Sequence, residues 1–518
     1  MKTKTNLLII LILLSNFYQT IIAQPHKSSL RFLVSMPNPS DHKFYMELQV
    51  SNLRKDTILF KMPNWMPGYY QIMNYANDVE NITAKDENGK NLPLKKTNSN
   101  TWSITGVTTK SFVLSYYIRS DKQFVANSFL DSTHAYILPE NNFIYIDGFL
   151  NSPISVKIIK SPLLQWDKIA TGLEMSEEEP DLFTAPNFDI LYDCPILIGN
   201  LNELPPFKVK GIEHHFIGYQ IGNFNYEQFM FNLKKIVEAA VDIFGEMPYK
   251  QYTFIAIGQG RGGIEHLNNT TFSFDGNEIK TKDDLNRILN FIGHEYFHHY
   301  NVKRIRPFEL GPFDYDKENR TTQLWISEGL TVYYEYMITK RAGIVDEKTF
   351  LANFEGNIND VENNQGRLFQ SLSQSSYNTW EDGPFGIKGK TISYYDKGPV
   401  VGLILDFTIR NATQNKKSLD DVMRLLYTQY YKKLQRGFTD AEFQAVCELV
   451  AGIPLTKEFE YIYTTKELDY NHYLSYGGLK ITSENIKDNP NKTSKLILSR
   501  LENINPLQSL ILKSWLSE

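Results

Sequence analysis

The sequence predicts an α+β chain of several domains, β-rich toward its N-terminus and helix-dominated beyond its middle. Three observations carry this. At 518 residues the chain exceeds what one hydrophobic core organises, so two to four domains are expected. From residue 28 to about 205, runs such as HKFYMELQV, SFVLSYYIR and FIYIDGF alternate apolar and polar positions, with turn clusters such as DENGKNL between them. A period of two with Gly, Asn and Asp punctuation is the pattern of mostly antiparallel strands. Near Phe207 the period lengthens to that of a helix, and helical patterns then dominate.

The elements follow in order. Residues 1–23 place Lys2 and Lys4 before an apolar run from Leu7 to Leu14 and end at Ala23, which is the layout of a signal peptide. Such a run is too short to cross a bilayer core of about 30 Å, so export to the periplasm or beyond is expected, with no stable membrane span after cleavage. Residues 24–205 form the β-rich domain. The second domain, 206–411, opens on NYEQFMFNLKKIVEAAVDIFGEMP, whose apolar residues fall at helical spacing and whose Gly and Pro stop the helix. YTFIAIG follows as a strand, and helices are expected over 283–302, 324–342, 346–362 and 398–411. Further helices fill 412–482. The polar tract TSENIKDNPNKTS then reads as a linker, so 483–518 is expected to be a linker and a short helical tail.

Composition narrows the function. With 54 basic and 59 acidic side chains the net charge is −5, and no basic run stands out, which leaves no electrostatic footprint for nucleic acid. Cys194 and Cys447 are the only cysteines, so a disulfide framework and a cysteine-rich metal site are both excluded.

The stretch NFIGHEYFHHYNVKRIRP raises the chemical question, because three histidines and a glutamate stand within six positions of an otherwise apolar helix. His294 and His298 are four apart and project from one helix face, the spacing at which two imidazoles share one zinc ion. Glu295 completes H-E-x-x-H, in which the glutamate is the general base. Glu328, in LWISEGLTVYYEY, is a carboxylate among apolar neighbours at a helix start and needs a partner; zinc held by His294, His298 and Glu328 supplies it and leaves a fourth position for water. Glu335, seven residues on, is either an orienting partner of a ligand or a plain surface glutamate. His266 and His299 read as non-ligands; His299 lies about 140° round the helix from His294. In GQGRGGIEHLNNTTF, Gly262 and Gly263 allow close approach of a substrate backbone and Glu265 offers a carboxylate for a free amine. In SYYDKGPVVGLILD, Tyr394 or Tyr395 offers a phenol to a developing oxyanion. Taken alone, these two segments read first as structure: a glycine-rich turn, and aromatic packing at a helix entry.

Together, GGIEHLNNT, GHEYFHHYNVKRIRP, WISEGLTVYYEY and YYDKG, with MPNWMPGYY, FGEMPY and YLSYGGLKI around them, resemble the glycyl aminopeptidase family, metallopeptidase family sixty-one of the gluzincin clan. The resemblance implies a β-rich N-terminal domain, a thermolysin-like catalytic domain over 206–411 and helices packed after it. It implies one Zn2+ per chain on His294, His298 and Glu328, Glu295 as base, Tyr395 as oxyanion donor and Glu265 as anchor of the substrate α-amine. Tyr394 takes the donor role if the motif match is shifted. The expected activity is removal of N-terminal Gly or Ala from peptides with a free N-terminus. The alternatives are a zinc endopeptidase or other zinc hydrolase on the same site, and a non-catalytic secreted binding protein. Relatives usually carry a C-terminal PDZ domain, for which about 37 residues after GGLKI are too few. His299 stands where relatives more often have a small polar residue.

Overall fold

The structure, a computed structural model, describes residues 29–485 and 494–517. The expected signal peptide, 1–23, lies outside the described residues. The N-terminal domain is built on a seven-stranded sheet flanked by two four-stranded sheets. Its centre pairs Ser29–Ser35 with Lys43–Ser51 and that strand with Phe112–Arg119, all antiparallel. The register sets Phe32 against Leu48 and Leu48 against Leu114, so the alternating apolar residues of three strands share one buried face. One pairing, Ser29–Ser35 with Ile154–Ile159, is parallel.

The second domain carries a five-stranded sheet in the order Asn202–Val209, Ile212–Gly218, Gln251–Ala256, Asn269–Phe272, Gly263–Glu265. The last of these is an edge strand, paired on one side only by Asn269–Phe272. Helix Tyr226–Phe244 lies where the helical period was read. Asn225 caps its start, Gly245 ends it at φ 83°, and Phe229, Leu233, Ile236, Val237 and Val241 form its buried face.

The later helices join this domain's core, and a smaller separate cluster forms around Ile358, Val400, Ile404 and Tyr473. Two differences from expectation matter. The helix expected from 398 starts a turn earlier, at Tyr394, because the Ser393 side chain caps it by accepting from the Tyr395 N–H. The polar tract expected as a linker starts and ends in paired strands: Leu479–Asn485 pairs antiparallel with Ser494–Arg500. Beyond it, the short helix expected near the C-terminus is Pro506–Leu516, and it buries Trp515 and Leu516 in the main core. Short apolar runs beside a charged, Asn-rich stretch hide such a strand pair from a reading by composition. No helix among the described residues is long and apolar enough to cross a membrane.

Candidate metal centre and substrate cleft

Helix Lys282–Phe297 begins in a capping box, in which Thr281 accepts from the Asp284 N–H while the Asp284 carboxylate accepts from the Thr281 N–H. Leu289, Ile292, Tyr296 and Phe297 bury one side of its second half. The helix ends at Phe297, five residues short of the expected 302, and the chain turns back through 298–305. The turn has a purpose visible in its bonds: the Asn301 carbonyl accepts from His298 Nδ1 at 2.7 Å. The Asn301 amide also donates to the carbonyls of Ile326 and Ser327, at 2.8 and 3.3 Å. One buried asparagine thus ties the histidine segment to the segment carrying Glu328.

Glu328 lies within a π-helical turn, Trp325–Gly329, that runs into helix Leu330–Arg341. The wider turn is a local departure of the kind found at functional sites. Close packing sets its position: a Cβ on Gly329 would stand 2.6 Å from the Gly398 Cα. Only two glycines allow helix Tyr394–Ala412 to cross the turn at that distance, and the crossing delivers Tyr395 to Glu328.

These elements bring three donors together. His298 Nε2 lies 2.9 Å from His294 Nε2 and 3.2 Å from Glu328 Oε2, and His294 Nε2 lies 3.8 Å from the same oxygen. A tetrahedral ion with bonds of about 2.0–2.1 Å needs donors about 3.3 Å apart, so the set fits zinc in both type and spacing. The remaining imidazole nitrogens are occupied. His294 Nδ1 donates to Glu335 Oε2 at 2.7 Å, and the other Glu335 oxygen accepts from Asn290 at 2.5 Å. With Nδ1–H held on both rings, each Nε2 presents its lone pair to the metal position. Of the two roles open to Glu335, the one beside a ligand is the one its position serves. Burial opposes charge on Glu328, yet the imidazoles of His298 and His294 hold its carboxyl well below the usual range.

Glu295 is buried on the same face. Burial pushes its carboxyl up to about 7, against the pull of the His294 and His298 imidazoles. Edge strand Gly263–Glu265 passes directly over it: a Cβ at Gly263 would meet the Glu295 carboxylate at 2.7 Å. Gly262, at φ +84°, turns the chain into this strand. Glu265 ends the strand with its side chain buried and Oε1 without a hydrogen bond. Tyr395 donates to Glu328 Oε2 at 2.8 Å, and burial together with that carboxylate pushes its hydroxyl well up, so it keeps its proton. The Tyr394 hydroxyl instead contacts Thr379 Oγ1 at 3.0 Å. Neither His266, which faces Asp193, nor His299, bonded through Nδ1 to the Tyr296 carbonyl, joins the donor set. Sequence reasoning missed Asn301, Gly329 and Gly398. A buried asparagine after the second histidine and glycines inside helical patterns were the available signals.

The arrangement matches known proteins along most of its length. The profile of the Peptidase M61 N-terminal domain matches residues 31–200 and that of M61 glycyl aminopeptidase matches 287–401, together more than half of the chain. No curated protein matches significantly. Among solved structures, the chain is similar to an aminopeptidase N family protein from Idiomarina loihiensis at 26% identity and TM-score 0.83, covering 89% of this chain and 80% of that one. The fold also resembles that of an M1 zinc metallopeptidase from Deinococcus radiodurans, at 12% identity and TM-score 0.54 over 86% of this chain and 96% of that one. A variant of the latter bound to a Tyr-Ser-Ala substrate aligns at 11% identity and TM-score 0.51 over 86% and 95%. With the donor set in place and both family domains matched in order, the chain belongs to the M61 glycyl aminopeptidase family and is a zinc metallopeptidase of the aminopeptidase type.

Proposed function

We propose that the enzyme binds one zinc ion through His294, His298 and Glu328 and removes N-terminal Gly or Ala from peptides with a free N-terminus. Zinc in that position supplies Lewis acidity, polarising the scissile carbonyl and making water acidic enough to be deprotonated near neutral pH. Glu295 takes the proton of the attacking water and passes it to the departing amine as the C–N bond breaks, so that water is divided between the two products. Tyr395 holds a proton beside the metal position and donates a hydrogen bond to the oxyanion as charge develops. The open edge of Gly263–Glu265 pairs with the substrate backbone, with Gly263 leaving room above Glu295.

The observation that carries the exopeptidase reading is Glu265. A buried carboxylate with an unbonded oxygen, two residues along the strand from Gly263, is costly without a cationic partner, and a substrate α-ammonium is that partner. The test compares free and N-acetylated peptides beginning with Gly or Ala, with metal content measured on the same sample. About one zinc per chain and cleavage confined to free peptides are expected. Glu265→Ala should weaken kcat/KM on free peptides roughly 10–150-fold, the range of a charged hydrogen bond. Equal cleavage of acetylated peptides by the wild type would return the site to an endopeptidase. We also propose export of the mature enzyme to the periplasm or beyond, supported by the pattern of residues 1–23. N-terminal sequencing of the mature protein from its native host tests this, and a retained Met1 would count against it.

A further inference from the structure

The motif MPNWMPGYY belongs to the N-terminal domain, yet its loop ends in the catalytic cleft. Trp65 Nε1 donates to the Asp314 carbonyl at 2.8 Å, and the Gln71 amide donates to the Thr379 carbonyl at 2.7 Å. The rings of Trp65 and Tyr70 pack against Trp380 at 5.1 and 6.4 Å. The loop is therefore fastened to the catalytic domain on both sides of Gly68 and Tyr70. Gly68, at φ +95°, comes so close to the amine anchor that a Cβ would stand 2.8 Å from Glu265 Oε2. Tyr70 is only 5% exposed, and its hydroxyl has no hydrogen-bond partner among the described residues. The charged groups acting on that hydroxyl are Glu328 and Glu265. Glu265 Oε1 is thus buried with nothing to bond, and the unpartnered Tyr70 hydroxyl lies close enough to feel its charge.

Buried polar atoms are costly without partners, and a substrate ammonium buried in the same corner has three N–H donors to satisfy. One orphan carboxylate oxygen is too few. We propose that Tyr70, supplied by the N-terminal domain, is a substrate-binding residue whose hydroxyl accepts an N–H of the substrate α-ammonium beside Glu265. Gly68 lets the loop close over the carboxylate. The proposal rests on the aminopeptidase reading and adds to it that the amine site is shared between two domains.

Tyr70→Phe keeps the ring packing and removes only the acceptor. For a glycyl peptide KM should rise about tenfold or more, the loss expected for a hydrogen bond to a charged group. Inhibition by glycinamide should weaken by a similar factor. Inhibition by 2-hydroxyacetamide, which carries a hydroxyl in place of the ammonium, should not change. Glu265→Ala is run alongside. Loss of the preference for glycinamide in Glu265→Ala but not in Tyr70→Phe would overturn the role of Tyr70 and leave the aminopeptidase reading intact. Retention in both would remove the amine site itself. Gly68→Ala leaves Tyr70 in place but pushes a methyl group onto Glu265, and it too should lose affinity for glycinamide alone. An unaffected glycinamide constant there would show that the loop does not close over the carboxylate.

Discussion

Glu295 and His294 are chain neighbours with different work to do, and the difference lies in what each side chain meets. His294 is held from behind by Glu335 and directs Nε2 toward His298 and Glu328. Glu295 has no such support: its Oε2 lacks a hydrogen bond and its carboxylate lies beneath Gly263. Removing charge from a group outside the donor set should spare the metal and lose the proton transfer. Glu295→Gln is therefore expected to keep about one zinc per chain while kcat falls by about 10²–10⁴-fold. Metal analysis beside steady-state kinetics checks this, and loss of zinc in the variant would reassign Glu295 as a ligand.

At the scale of elements, the site depends on how closely helix Tyr394–Ala412 crosses the turn Trp325–Gly329. Gly329 and Gly398 set that distance, and the hydrogen bond from Tyr395 to Glu328 depends on it. A methyl group at Gly398 has backbone on its far side and nothing flexible to displace, so the helix itself must shift. Gly398→Ala is expected to reproduce the kinetics of Tyr395→Phe, with kcat lowered by roughly 10²–10³-fold and KM little changed. Zinc should remain bound, because His294, His298 and Glu328 lie on the other side of the contact. Activity near that of the wild type in Gly398→Ala would mean that Tyr395 is positioned by something other than this crossing.

Across the whole molecule, the hydrophobic core runs from the metal helices to the C-terminal helix. Trp515 packs on Phe350 and Phe407 at ring distances of 4.6 and 5.0 Å and donates to the Tyr333 hydroxyl at 3.2 Å. Tyr333 belongs to helix Leu330–Arg341, which continues directly from the turn holding Glu328. The last helix thus braces the metal site from behind. Trp515→Ala should cost about 3–5 kcal/mol, as expected for emptying a fully buried aromatic position. Denaturant unfolding checks the loss, and an unchanged midpoint would show that the C-terminal helix is dispensable to the catalytic core.

The sequence by itself determined the features that depend on neighbours along the chain. The interval from His294 to His298 places both imidazoles on one face of any helix, and the alternation in Lys43–Ser51 buries Phe44, Met46 and Leu48 in any sheet covered on one side. Glu328 was legible as a buried carboxylate in need of a partner, and the order of motifs named the family. Tertiary structure decided the rest. It placed Gly68 against Glu265, sent Tyr395 rather than Tyr394 to Glu328, used Asn301 to join two segments and paired Leu479–Asn485 with Ser494–Arg500. The physical reason is that periodicity is fixed by backbone geometry over a few residues. A contact between distant residues depends on which surfaces pack and how closely they approach, and no short stretch of sequence holds that information.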